Sequence, residues 1–213
     1  MKKLILSIAL VFAVVIVKAN DSSAYIKAMK AKIEQFNKSQ SLEELQASAN
    51  AFERIAQKEA TEWLPLYYAA FGYVKMGFNE TLSLDEKDIY LNKAIVLVEN
   101  AEEISPNNSE LTALKGYALM GKLTADAASR GQTLSPQVMQ TFGKAIQQNP
   151  ENPRALYLMA QMEYGMAQFF GSGTEKACAM TQQSISLFEK NPSEGIMPSW
   201  GLGGAKAMLS RCQ

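Results

Sequence analysis

Beyond residue 22, leucine, alanine, methionine and aromatic residues recur at three- and four-residue intervals, and no stretch shows the β-branched alternation of a strand. A three-to-four spacing puts apolar side chains on one face of an α-helix. The pattern therefore predicts an all-helical chain, with helices near 23–38, 41–58, 61–76, 85–104, 108–124, 135–148, 152–168, 174–190 and 199–211. Clusters of Gly, Pro, Asn and Ser separate them, including Gly77 to Asp85, Gly131 to Pro136, Asn149 to Pro153 and Asn191 to Pro198. Each of these residue types interrupts a helix for its own backbone reason.

A run of helical hairpins invites a search for a repeat. Ala94, Val98, Ala101 and Pro106 stand at offsets 0, 4, 7 and 12, and Val138, Phe142, Ala145 and Pro150 reproduce those offsets 44 residues later. A small residue where two helices touch, a larger apolar one four later, a second small residue and a terminating proline form the signature of a tetratricopeptide second helix. Counting onward places Gly116 at the small position of one first helix and Leu156, Met159 and Ala160 at the apolar and small positions of the next. Trp63 and Leu66 begin the W-x2-L pattern, with Tyr67 where Gly or Ala is usual.

On these residues the chain resembles the tetratricopeptide-repeat family over about residues 60–190, with a period longer than the usual 34 or so residues and with Lys115 at an apolar position. The strings EWLPLYYAAFG, NPENPRALYLMAQ, FGSGTEKAC and PSWG also look like a group of small exported repeat proteins of Gram-negative bacteria. The resemblance implies a right-handed superhelix of stacked hairpins, an α-solenoid of about eight or nine helices, and supplies no reaction.

The first nineteen residues follow a different pattern. Lys2 and Lys3 precede an uncharged run from Leu4 to Val17, and Val17-Lys18-Ala19 offers a cleavage site. This reads as a secretory signal peptide over 1–19 followed by one domain over 20–213. A retained anchor is the alternative, although 14 apolar residues fall short of the roughly 18 to 20 that span a bilayer. Export points to the periplasm, an oxidising compartment in which Cys178 and Cys212 either pair or remain two thiols. Without the leader, 18 basic residues face 21 acidic ones. The basic residues are scattered among the acidic ones, with no stripe suited to a phosphate backbone, which excludes nucleic acid as the expected partner.

The chain contains no histidine. That removes Ser-His and Cys-His nucleophiles and the HExxH zinc motif, and no cofactor or metal is expected. Acidic pairs remain at Glu43-Glu44 and Glu102-Glu103 and in Asp85-Glu86-x-Asp88. A glycosidase would need two such carboxylates across a cleft, whereas the last cluster opens a helix, where negative charge suits the dipole. Gly171-Ser172-Gly173-Thr174 precedes a helix and could cradle an anion, or could simply be a turn with Thr174 as N-cap. Gly201, Gly203 and Gly204 suggest close helix packing.

Stacked repeats leave the faces of their first helices uncovered as a concave groove. By register the groove would be lined by Tyr68 and Phe71, by Tyr117 and Met120, and by Arg154, Tyr157, Gln161 and Tyr164. Tyrosine supplies an apolar face with a hydroxyl, and arginine a fork for carboxylates. The expected occupant is a peptide or protein partner, so the chain reads as an interaction or scaffold module and not as an enzyme. Tyrosines on helices also serve as packing residues, and an internal glutamate could claim Arg154. The alternatives are a helical module that forms homodimers through this surface and a carboxylate-based hydrolase on a helical scaffold.

Overall fold

Side chains fix where the helices start. Ser41 and Ser83 each form a capping box with the glutamate three residues on, Glu44 and Glu86. Asn108 and Asn152 accept from backbone N–H groups of the first turn. Such caps occupy donors that the helix itself leaves unpaired. The computed structural model describes residues 23–212, so the predicted leader lies outside the described residues. Within them the helices are α1 over 23–38, α2 Leu42–Lys58, α3 Leu64–Gly77, α4 Leu84–Ile104, α5 Ser109–Ala125, α6 Ala127–Gln148, α7 Pro153–Phe170, α8 Glu175–Lys190 and α9 Leu202–Leu209. A short 3-10 turn, Ser210–Cys212, follows.

Consecutive helices pack as hairpins, and α5 also touches both α3 and α7. These three form one layer, with α4, α6 and α8 behind it, an arrangement consistent with an α-solenoid. The repeat positions account for the contact between layers. Ala94, Val98 and Ala101 on α4, and Val138, Phe142 and Ala145 on α6, are all fully buried. Gly116 meets the ring of Phe142 so closely that a Cβ there would overlap it, which is why the register demands a small residue.

Two buried clusters result. One gathers Phe36, Phe52, Tyr67, Tyr68, Val74 and Leu91 from the N-terminal helices. The other gathers Phe142, Tyr157, Leu158, Phe188 and Met208 from the C-terminal ones. Phe78, Tyr117 and Trp200 pack against both.

The helix expected from 135 begins instead at Ala127 and runs through Pro136. Asp126 caps it by accepting from the Ser129 backbone, and Arg130 donates to both carboxylate oxygens of Asp88 on α4 at 2.7 and 2.5 Å. These tertiary anchors outweigh the Gly131 to Pro136 signal, as packing outweighs propensity elsewhere. Lys115, unexpected at an apolar position, lies between Glu99 and Glu102 of α4 at 3.0 and 3.5 Å. Thr174 holds the N-cap position of α8 but makes no side-chain cap bond.

Candidate functional site: the covered concave face

Every residue expected in the groove falls on the inner helices: Tyr68 and Phe71 on α3, Tyr117 and Met120 on α5, and Arg154, Tyr157, Gln161 and Tyr164 on α7. The groove is not open. The segment after α8 crosses the inner layer before entering α9, and it buries Tyr68, Phe71, Met120, Arg154 and Tyr157 to 7% exposure or less together with the surrounding helices. Tyr117, Gln161 and Tyr164 are half-buried. The expectation of exposed aromatics along a free groove is therefore corrected, because the chain covers this face with its own C-terminal residues.

The covering segment uses the groove much as a ligand would. The indole of Trp200 lies nearly parallel to Phe71, with centroids 4.5 Å apart and planes at 18°, and to Tyr117, at 5.7 Å and 21°. Its Nε1 donates to Tyr67 Oη at 2.9 Å. Tyr68 Oη donates to the Ile196 carbonyl at 3.0 Å, and Arg154 Nη1 donates to the Trp200 carbonyl at 3.3 Å. Farther along, Gly201 lies close against Phe188 and Gly204 of α9 against the Tyr157 hydroxyl, as close packing requires, whereas Gly203 has no such neighbour. Cys178 on α8 and Cys212 are joined in a disulfide, with Cα atoms 5.8 Å apart, so the covering segment is fastened at its far end.

Arg154 has an internal partner. Nε and Nη2 donate to the two carboxylate oxygens of Glu110, each at 2.7 Å, and the pair is almost wholly buried. Burial alone would lower the Arg154 pKa, but the Glu110 carboxylate outweighs it and holds the guanidinium above its usual value. Glu110 and Arg154 stand 44 residues apart, as do the caps Asn108 and Asn152. That is the interval of the repeat, so the ion pair joins equivalent positions on neighbouring inner helices. Two hydrogen bonds strengthen the junction, from Ser109 Oγ to the Ala145 carbonyl and from Asn152 Nδ2 to Ser109 Oγ.

Burial also governs the phenols. Desolvation, helped by Tyr157, pushes the Tyr117 pKa up to about 12, and Tyr67 and Tyr68 rise by the same cause. All three stay protonated at neutral pH and can donate hydrogen bonds. Of the other expected groove residues, Gln161 donates to Tyr157 Oη at 2.9 Å. Tyr164 accepts from Gln168 and packs on the C-terminal cluster. Met120 belongs to that cluster as well. The structure therefore brings Tyr68, Phe71, Tyr117 and Arg154 together around one segment and leaves Met120 and Tyr164 to packing.

Among the described residues nothing comparable gathers the acids. Glu44, Glu86, Asp88 and Asp126 have pKa values moved down by caps or ion pairs. Two shallow clefts lie elsewhere. One, of about 220 Å³, lies between α1 and α2 and includes Tyr25, Arg54 and Lys58. The other, of about 240 Å³, lies beside Met166, Phe170 and Lys176. Each includes a single carboxylate, Glu59 or Glu163. Among the described residues no group of three His, Cys, Asp or Glu could hold a metal ion, and no helix is long and apolar enough to cross a membrane.

Comparison with solved structures gives a likeness over nearly the whole chain. The chain is similar to the HusA haemophore from Porphyromonas gingivalis, with a TM-score of 0.79 and 29% identity, over 89% of this chain and 92% of that one. No protein-family model matches, and no curated protein matches.

Proposed function

We propose that this chain is an exported binding protein, not an enzyme, and that its ligand is haem or a closely related flat, apolar molecule. The likeness to a haemophore along nearly the full length of both chains carries this reading. The inner face is suited to such cargo, because aromatic rings held nearly parallel take flat ligands by offset stacking. With no histidine in the chain, an iron ligand from the protein would be a tyrosine or a methionine, both of which serve in haem proteins.

Titrating haemin into the protein at roughly micromolar concentration and following its absorbance tests the proposal. A saturable spectral change at a fixed stoichiometry is expected. A haemin spectrum indifferent to the protein would remove haem as the ligand.

A second reading keeps the inner face and changes the occupant to a peptide or protein partner, with the chain acting as a periplasmic scaffold. The residues Ile196 to Trp200 favour it, because the groove already holds a stretch of polypeptide through its carbonyls and one aromatic side chain. A labelled peptide of the sequence SEGIMPSW, added to a full-length Cys178→Ser, Cys212→Ser variant, should then show saturable anisotropy. Its failure to bind would count against that occupant.

A further inference from the structure

Residues 191–200, between α8 and α9, contain no helix, and 191–195 are exposed. Within the segment, Met197 N–H donates to the Glu194 carbonyl and the Ser193 hydroxyl to the Pro198 carbonyl. What holds the segment to the inner layer is chiefly the burial of Ile196 and Pro198, the stacked Trp200 ring and three side-chain hydrogen bonds. Segments with few backbone bonds and few buried side chains open at a fraction of the global unfolding free energy.

Moving this segment away would release a specific set of groups. Phe71 and Tyr117 would lose the indole that lies across them. Tyr68 Oη and Arg154 Nη1 would lose the carbonyl oxygens to which they donate, and Tyr67 Oη would lose the indole N–H it accepts. The opened surface is an aromatic floor with two donors at its rim, each aimed where an oxygen acceptor now sits. A flat ring system bearing carboxylates satisfies that surface group for group: the ring replaces the indole and the carboxylate oxygens replace the two carbonyls.

We propose that the floor formed by Phe71 and Tyr117 is the ligand platform, that residues 191–200 are its lid, and that Trp200 occupies the ligand's place until a flat carboxylate such as haem displaces it. The inference rests on the haem-carrier reading above and assigns that cargo a site. The Glu110 carboxylate keeps Arg154 in position throughout, since Nε and Nη2 are committed to it and only Nη1 faces the lid.

The lid competes with the ligand, so removing the competitor raises apparent affinity by the inverse of the open fraction. Haemin is titrated against wild type, Trp200→Ala, and a Phe169→Ala, Phe170→Ala variant that removes the exposed aromatic pair at the end of α7. Trp200→Ala is expected to bind about tenfold more tightly or better, and the double phenylalanine variant is expected to match wild type. Equal or weaker binding by Trp200→Ala, or loss of binding in the phenylalanine variant, overturns the lid and leaves the haem-carrier reading standing. Absence of haemin binding in every protein overturns both. Helical circular dichroism verifies folding. Should Trp200→Ala fail to fold, the Cys178→Ser, Cys212→Ser variant, which frees the far end of the lid, must show the same tightening.

Discussion

Reducing the Cys178–Cys212 bridge opens a closed loop of 34 residues that contains all but the first turn of α8, the covering segment and all of α9. In the chain-entropy account, closing a loop of that length removes about 12 to 13 cal/mol/K from the unfolded ensemble, or about 4 kcal/mol at 25 °C. Reduction should therefore lower unfolding stability by about that amount, and for a chain of this size the midpoint of thermal unfolding should fall by about 8 to 15 °C. Urea unfolding of the oxidised protein, of the protein in reductant, and of a Cys178→Ser, Cys212→Ser variant measures the effect. The reduced protein and the double variant should coincide, both well below the oxidised form. If all three unfold within about 1 kcal/mol of one another, loop closure is not what the bridge contributes. If the double variant alone is destabilised, lost packing of the sulfur atoms is the better explanation.

Other consequences follow from the inner layer and its supports. Glu110→Ala leaves the Arg154 guanidinium buried without its carboxylate and should cost about 3 to 5 kcal/mol in denaturant unfolding, whereas Lys38→Ala at an exposed ion pair should leave the unfolding curve nearly unmoved. Gly116→Ala drives a methyl into the Phe142 ring. The overpacking, about 1 to 3 kcal/mol, should exceed the roughly 1 kcal/mol gained in helix propensity, so thermal unfolding should move down; a rise would show that the ring yields. Asp88 has its carboxyl held low, first by the Arg130 hydrogen bonds. A depressed folded-state pKa contributes stability that is fully present above the unfolded value, about 3.9, and is lost as pH falls through the lower folded value. Asp88→Asn should therefore flatten the acid limb of a stability-versus-pH curve, and an unchanged limb would mean that other carboxylates set it.

Much of the fold was legible because helix periodicity is local. Caps, apolar spacing and the 44-residue repeat lie within single helices or adjacent ones, and Ala94, Val98, Val138 and Phe142 are buried as their register demands. The start of α6 was missed because it depends on Arg130 reaching Asp88, 42 residues away. The expected groove residues lie on the inner helices, but most of them are buried. Burial of Phe71 and Tyr117 depends on Trp200, more than 80 residues beyond either, and no periodicity reports such a contact. Signals were nevertheless present. The string PSWG put an aromatic ring in a loop otherwise rich in turn formers, and Glu110, one repeat before Arg154, stood where its counter-ion had to be.

The clasp also sets an order of events in time. A simple repeat array folds through contacts between neighbours and can begin anywhere along its length. Here Ile196 and Trp200 reach helix α3 across 128 and 133 residues. The array can therefore assemble progressively, but its face is sealed only when residues 196–200 arrive. A chain that has not yet reached Trp200 would leave its tyrosines and Phe71 bare, which makes the arrival of residues 196–200 the step that turns a sticky intermediate into a closed one.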